Sequence, residues 1–227
     1  VNVTPNDDSA EQRFSTSYSA FAVRGVSDAT TAPTISDGVF REYRLAVYMA
    51  NEGFRSEQLN QDVSKVKAFW KELETFLNNI YVRDLGVRFT IVQDERLIEK
   101  SYKGSYAYDA GTKLINAAIG SDAYDIGIVV NYIEGGALQG LASPGGVKYH
   151  ERKGWAIVNS QEMITIGHEL GHLFGADHPF VGGAGLVGRC TEPKSGQSMM
   201  SYGYPYKEDF ISLESLRMMH PVTKASD

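Results

Sequence analysis

The chain has 227 residues, enough for one large domain or two small lobes with an ample core. Its 22 basic and 28 acidic residues leave a net charge of −6, which argues against nucleic acid or an anionic membrane surface as partner. No apolar run reaches the ~20 residues that a membrane-spanning helix needs, and the single cysteine, Cys190, excludes an internal disulfide.

The sequence opens on Val1 rather than methionine, so an upstream segment is expected, with a secretion signal as one candidate. Residues 1–38 are polar and turn-prone at Asn6-Asp7-Asp8-Ser9 and at Ala29 to Thr34. Between these, Phe14, Tyr18, Phe21 and Val23 make one patchy strand. Three readings of this stretch stay open: the end of a propeptide, a linker, or a strand added to the following domain.

From Tyr43 to Met49 the polarity alternates as in a strand. Between Ser56 and Tyr81 the residues Val63, Val66, Phe69, Trp70, Leu73, Phe76, Leu77 and Ile80 recur at three and four, predicting an amphipathic helix whose aromatics are core packing. Gly86 punctuates, and Val87, Phe89 and Ile91 alternate as a second strand. Thr112 to Ile119 reads as a short helix. The continuous apolar run Ile126 to Val130 predicts a central strand buried on both faces. Leu138 to Ala142 reads as an edge strand and Trp155 to Val158 as a further strand, so strands alternate with helices in an α/β upper lobe. A helix is predicted from Ser160, its N-cap, to Phe174. Pro179 to Gln197 is rich in glycine, and Phe210 to His220 closes the chain as a helix with Leu213, Leu216 and Met219 packing beneath.

The stretch Thr165 to His178 places three of the five histidines within eleven residues. His168 and His172 are four apart, one turn above each other on one helix face, and two neutral imidazoles at that spacing can bind one Zn²⁺. Glu169 stands beside them, able to reach a water on that metal without ligating it. Gly175 can take the left-handed conformation that ends a helix, letting the chain double back and offer His178 as third ligand. Three protein ligands leave a fourth position for water, which marks a catalytic site. The short H-E-x-x-H pattern arises by accident in ~1 of 100 such chains, and the added glycine and third histidine cut that by roughly a thousandfold. An ordinary core helix would have to bury three imidazoles and a glutamate together.

H-E-x-x-H-x-x-G-x-x-H is the metzincin signature, and the chain resembles the reprolysin (adamalysin) branch of those metallopeptidases, especially its bacterial members. Phe40 to Val47 is similar to that family's opening strand, and Tyr124-Asp125-Ile126-Gly127 with Gly140-Leu141-Ala142 to its middle segment. The resemblance covers about Phe40 to Pro221. It implies a zincin fold: a mixed, mostly parallel twisted sheet with an antiparallel edge strand, an active-site helix at the cleft and a small irregular C-terminal lobe. The catalytic domain would span 39–227, with an upper lobe to about 175 and a lower lobe from 176.

The resemblance also implies roles. Met200, in Ser198-Met199-Met200-Ser201-Tyr202, would be the turn methionine beneath the zinc. Leu138, Gln139, Gly140, Leu141 and Ala142 would form the edge strand that pairs with an extended substrate, and Pro179–Gln197 the loop walling the specificity pocket. Tyr202 stands where astacins and serralysins place a tyrosine near zinc, giving it a zinc-proximal or oxyanion role or plain packing in the turn. Asp125 matches a calcium-binding aspartate of animal reprolysins, but Arg44 stands in place of its glutamate partner, so calcium is not expected. His150 and His220 are read as a loop residue and a helix end. Animal relatives are disulfide-rich and this chain is not, which fits a bacterial origin. With no cysteine ahead of the motif in these 227 residues, a cysteine switch within this chain is excluded.

The function implied is a zinc endopeptidase outside the cytoplasm, with one Zn²⁺ and Glu169 as general base toward an activated water. Its partner would be a protein or peptide substrate and its state monomeric. Residues 1–38 would then be a propeptide remnant, Asp7 or Asp8 being candidates to cap the zinc in a latent form. Two rivals stand against it: a zinc-loaded but idle adhesion module, and a zinc hydrolase of cell-wall peptides.

Overall fold

The computed structural model describes residues 38–102, 110–131, 139–148, 153–159, 161–180, 192, 196–202 and 210–225. The strands are β1 (Arg41–Met49), β2 (Val87–Ile91), β3 (Ile126–Val130), β4 (Gly140–Ala142) and β5 (Gly154–Val158). Among the described residues they form one five-stranded sheet in the order β2-β1-β3-β5-β4. Every pairing is parallel except β4 with β5, so an antiparallel strand lies at one edge, as the resemblance implied.

β3 lies between β1 and β5 and every one of its residues is buried, which is why its sequence, Ile-Gly-Ile-Val-Val, has no polar position. Its Gly127 has a packing reason: a Cβ there would lie 2.6 Å from Ile115 Cδ1, so the missing side chain lets a helix press onto the sheet. That helix is α3 (Gly111–Ile119); before it come α1 (Asn51–Arg55) and α2 (Val63–Leu85), and after it α4 (Met163–Leu173) and α5 (Leu213–Lys224).

Three helices start later than the sequence expectation. α2 begins at Val63 rather than Ser56, because Asn60 and Gln61 adopt left-handed φ of 48° and 58° and break any earlier helix. Asp62 then caps the helix, accepting from Ser64 N at 2.8 Å. α4 begins at Met163 with Glu162 at the N-cap, without a side-chain cap bond. Ser160 lies outside the described residues. Just ahead of α4, the Gln161 side chain donates to the Gly53 carbonyl at 2.9 Å and accepts from Ser56 Oγ at 3.1 Å, tying the helix entry to α1. α5 starts at Leu213 after a Ser212 cap, and Leu213 is exposed at its first turn, while Leu216 and Met219 are buried as expected.

The far end of α4 is anchored by aromatic packing. Phe174 is fully buried, its ring 5.4 Å from Tyr43, 5.9 Å from Tyr81 and 6.0 Å from Phe89 between centroids. Such pairs contribute about 0.5–1.5 kcal/mol each beyond the area they bury. Tyr81 also donates its hydroxyl to the Gly167 carbonyl at 2.8 Å, in the middle of α4. Burial pushes the Tyr81 phenol well above its usual range, so it remains a donor. The helix carrying the histidines is thereby held at its entry by α1, at its middle by α2 and at its exit by β1 and β2.

Candidate metal centre

His168 and His172 project from successive turns of α4. The helix then closes as Gly175 N donates to His172 O at 2.9 Å and Ala176 N to Gly171 O at 3.0 Å. Gly175 has φ +96°, a left-handed value that a side chain resists, and a Cβ there would lie 2.6 Å from Val222 Cγ2 on α5. The reversal brings His178 back to the first two rings. The three Nε2 atoms converge, His168 lying 3.1 Å from His172 and from His178, and His172 3.2 Å from His178.

The protonation pattern follows from the other ring nitrogens. His168 Nδ1 lies 2.7 Å from the Met199 carbonyl, and His172 Nδ1 lies 2.7 Å from the Ala176 carbonyl. A carbonyl only accepts, so each Nδ1 carries the proton and each neutral ring presents a lone pair at Nε2. Lone pairs pointed at one another across this distance repel, and a cation between them removes the conflict. Tetrahedral ligands about 2.0–2.1 Å from zinc stand about 3.3–3.4 Å apart, close to the observed spacing. The donor set and its geometry fit one zinc ion.

Glu169 is buried beside these rings, and its side chain lies against β4. A Cβ at Gly140 would lie 2.7 Å from both Cγ and Cδ of Glu169 and closer still to Oε1. Gly140 is therefore what lets the carboxylate sit at the sheet edge. Leu141 is exposed, and Asn159 N donates to the Gln139 carbonyl at 2.8 Å just before the strand. β4 covers Gly140 to Ala142; Leu138 lies outside the described residues.

Met199 and Met200 are fully buried against α4. Gly167 and Gly171, four apart on one helix face, leave room for them: a Cβ at 167 would lie 2.7 Å from Met199 Sδ, and one at 171 would overlap Met200 Sδ. Met199 offers its carbonyl to His168, so the turn both packs under the helix and orients a ring. Tyr202 is half-exposed, its ring centroid 4.9 Å from His178 and 4.6 Å from Phe180. Partial burial and then the carboxylates of Glu169 and Asp177 raise its phenol pKa, keeping the hydroxyl protonated.

Arg44 pairs with Asp125, Nη2 to Oδ1 at 2.8 Å and Nε to Oδ2 at 3.2 Å, so a guanidinium already engages that carboxylate. His220 lies in α5 and does not join the three-histidine group; His150, Asp7, Asp8 and Cys190 lie outside the described residues, as does most of Pro179–Gln197. Sequence reasoning missed Glu192, whose carboxylate holds the turn at 197–201. No sequence signal marks it, because a lone acid in a glycine-rich stretch has no periodicity or motif. Tyr81 was read only as part of a helix, and its bond to Gly167 spans 86 positions.

A family model described as metallo-peptidase family M12B, reprolysin-like, matches residues 68–179. No curated protein matches the chain. One solved structure, "Structure of a chaperone-substrate complex", superposes with a TM-score of 0.55 at 15% identity, covering 82% of this chain and 35% of that one. The likeness at this identity concerns the fold alone, and the present chain spans about a third of the length of that solved chain.

Proposed function

Residues 68–179 belong to the reprolysin-like M12B metallopeptidases, and from that premise we propose that this chain is a zinc endopeptidase in which Glu169 is the general base. The observation that carries the reading is the convergence of three imidazole Nε2 atoms at 3.1–3.2 Å beside a buried glutamate. His168, His172 and His178 would hold the ion. Zinc bound there supplies a Lewis acid that polarises a carbonyl and makes a water acidic near neutral pH.

The chain's own residues would do the rest. An extended substrate pairs with the outer edge of β4, where Gly140, Leu141 and Ala142 have a neighbouring strand on one side only among the described residues. Glu169, held against Gly140, faces the bond so presented, accepts the proton of the attacking water and passes it to the leaving amine. Tyr202, protonated and with its ring against His178, would donate a hydrogen bond to the developing oxyanion. Met200, buried against Gly171 of α4, would be the floor under the rings. No helix among the described residues is long and apolar enough to cross a membrane; a site of action outside the cytoplasm is what the family resemblance implies. Residues 1–38 would be a propeptide remnant, and the domain would begin at 39. The Arg44–Asp125 pair supports a fold independent of calcium at that position.

The test is cleavage of a denatured protein by the wild type and by Glu169→Ala, with zinc measured on both. The variant should keep its zinc and lose roughly 10²–10⁴-fold in rate. Equal rates would remove Glu169 from the mechanism. Full zinc with no hydrolysis by either protein would favour the idle binding module.

A further inference from the structure

The turn that offers the Met199 carbonyl to His168 is itself held by a side chain with no part in the hydrolytic step. Glu192 Oε2 accepts from Gln197 N at 2.7 Å, from Ser198 N at 2.9 Å and from Ser201 Oγ at 3.0 Å, and Oε1 accepts from Ser198 Oγ. Ser198 and Ser201 are fully buried. The space around the carboxylate is kept clear by Gly196, which has φ +67° and whose Cβ would lie 2.7 Å from Glu192 Oε2 and overlap Ser201 Oγ. On its main-chain side, Glu192 N donates to the Pro179 carbonyl at 3.0 Å, and Glu192 forms a parallel bridge with Phe180. Pro179 directly follows His178.

One residue therefore joins both halves of the metal centre. Its carboxylate fixes the turn whose carbonyl orients His168, and its backbone fixes the segment that delivers His178. We propose that Glu192 is a positioning residue for the metal centre, clamping the Gln197–Ser201 turn to the segment after His178 so that the three Nε2 atoms are convergent before zinc arrives. An ionised carboxylate suits the task because it offers only acceptors, and four donors, two backbone N–H groups and two hydroxyls, point at it. Those four bonds leave it committed to the turn rather than to the ion. Groups that orient metal-binding imidazoles typically account for about 10–100-fold in metal affinity.

The inference rests on the zinc reading above, and its test separates the two. Zinc affinity is measured by chelator competition on the whole chain, with the visible spectrum of the cobalt-substituted protein and the thermal unfolding of the metal-free protein alongside. The wild type should bind one zinc. Glu192→Ala should bind it about 10–100-fold more weakly and shift the cobalt bands. Glu192→Gln should recover most of the affinity, since its oxygen can accept from the N–H groups and its amide can donate to a reoriented Ser198 hydroxyl. The comparison variant is Glu74→Ala, which removes a carboxylate accepting from Ile91 N at 2.6 Å at the opposite edge of the sheet. It should lose folding stability without losing zinc affinity. Unchanged affinity and cobalt bands in Glu192→Ala would overturn the proposal, as would an equal loss in Glu74→Ala. Should Glu192→Ala not fold, Ser198→Ala deletes one of the four donors and should weaken zinc binding several-fold; wild-type affinity there would overturn the proposal. A wild type that binds no zinc would overturn the metal reading and this inference together.

Discussion

At Gly140 a missing side chain is what brings the edge strand and the glutamate together. Adding a methyl group by Gly140→Ala would force Glu169 aside, since the Cβ would meet its Cγ and Cδ at 2.7 Å. A displacement of this order, about 1 Å, can cost roughly 10²-fold. The expected outcome is a fall in kcat of at least roughly tenfold with zinc content unchanged, read by steady-state kinetics and metal analysis. Wild-type kinetics would show that Glu169 tolerates the shift and is not held by this contact. The histidines themselves were legible in the sequence because helix geometry fixes what a spacing of four means, and because a glycine before the third histidine has one obvious use. Glu192 and Tyr81 were not, because their contacts join segments whose separation says nothing about contact.

At the scale of elements, the reversal after α4 depends on one residue. Gly175 combines φ +96° with a Val222 contact that leaves no room for Cβ, and a non-glycine residue in such a conformation costs about 1–3 kcal/mol. Gly175→Ala should therefore unfold at lower denaturant by that amount and bind zinc more weakly, because His178 arrives through this turn. A loss below about 0.5 kcal/mol, the range of ordinary surface changes, would count against it. The Arg44–Asp125 pair joins β1 to the entry of β3. Burial works to raise the Asp125 pKa, but the hydrogen bonds and charge of Arg44 outweigh it and the net shift is downward. The group therefore stabilises the fold above the usual carboxyl range and loses that effect as pH falls through its lowered folded value. Urea unfolding of the metal-free protein should show Asp125→Asn less stable than wild type at pH 7, with the gap closing below about pH 4. A gap that persists at acid pH would assign the effect to packing. β3 was legible because burial on both faces leaves an unbroken apolar run, and β2 because burial of every second residue leaves the positions between them polar. The start of α2 was not, because left-handed Asn60 and Gln61 carry no periodic signal and both residues are otherwise acceptable in a helix.

For the whole molecule, the sheet and α2 place α4 so that its histidine face meets the Met199–Met200 turn on one side and β4 on the other. The parallel order and the antiparallel edge followed from the resemblance rather than from the pattern of apolar residues, which does not distinguish strand order. Because the ion would join α4 to the segment after Gly175, metal binding should stabilise the folded chain. At 100 times the dissociation constant the gain is about 2.7 kcal/mol, visible as a rise in melting temperature on adding zinc to stripped protein. The most direct measurement is hydrolysis of a denatured protein by the wild type before chelation, after chelation, and after return of one equivalent of zinc. Cleavage should disappear on stripping and return at one zinc per chain. Cleavage that survives full metal removal, or a zinc-loaded chain that leaves the substrate intact, would contradict zinc-dependent proteolysis by this chain.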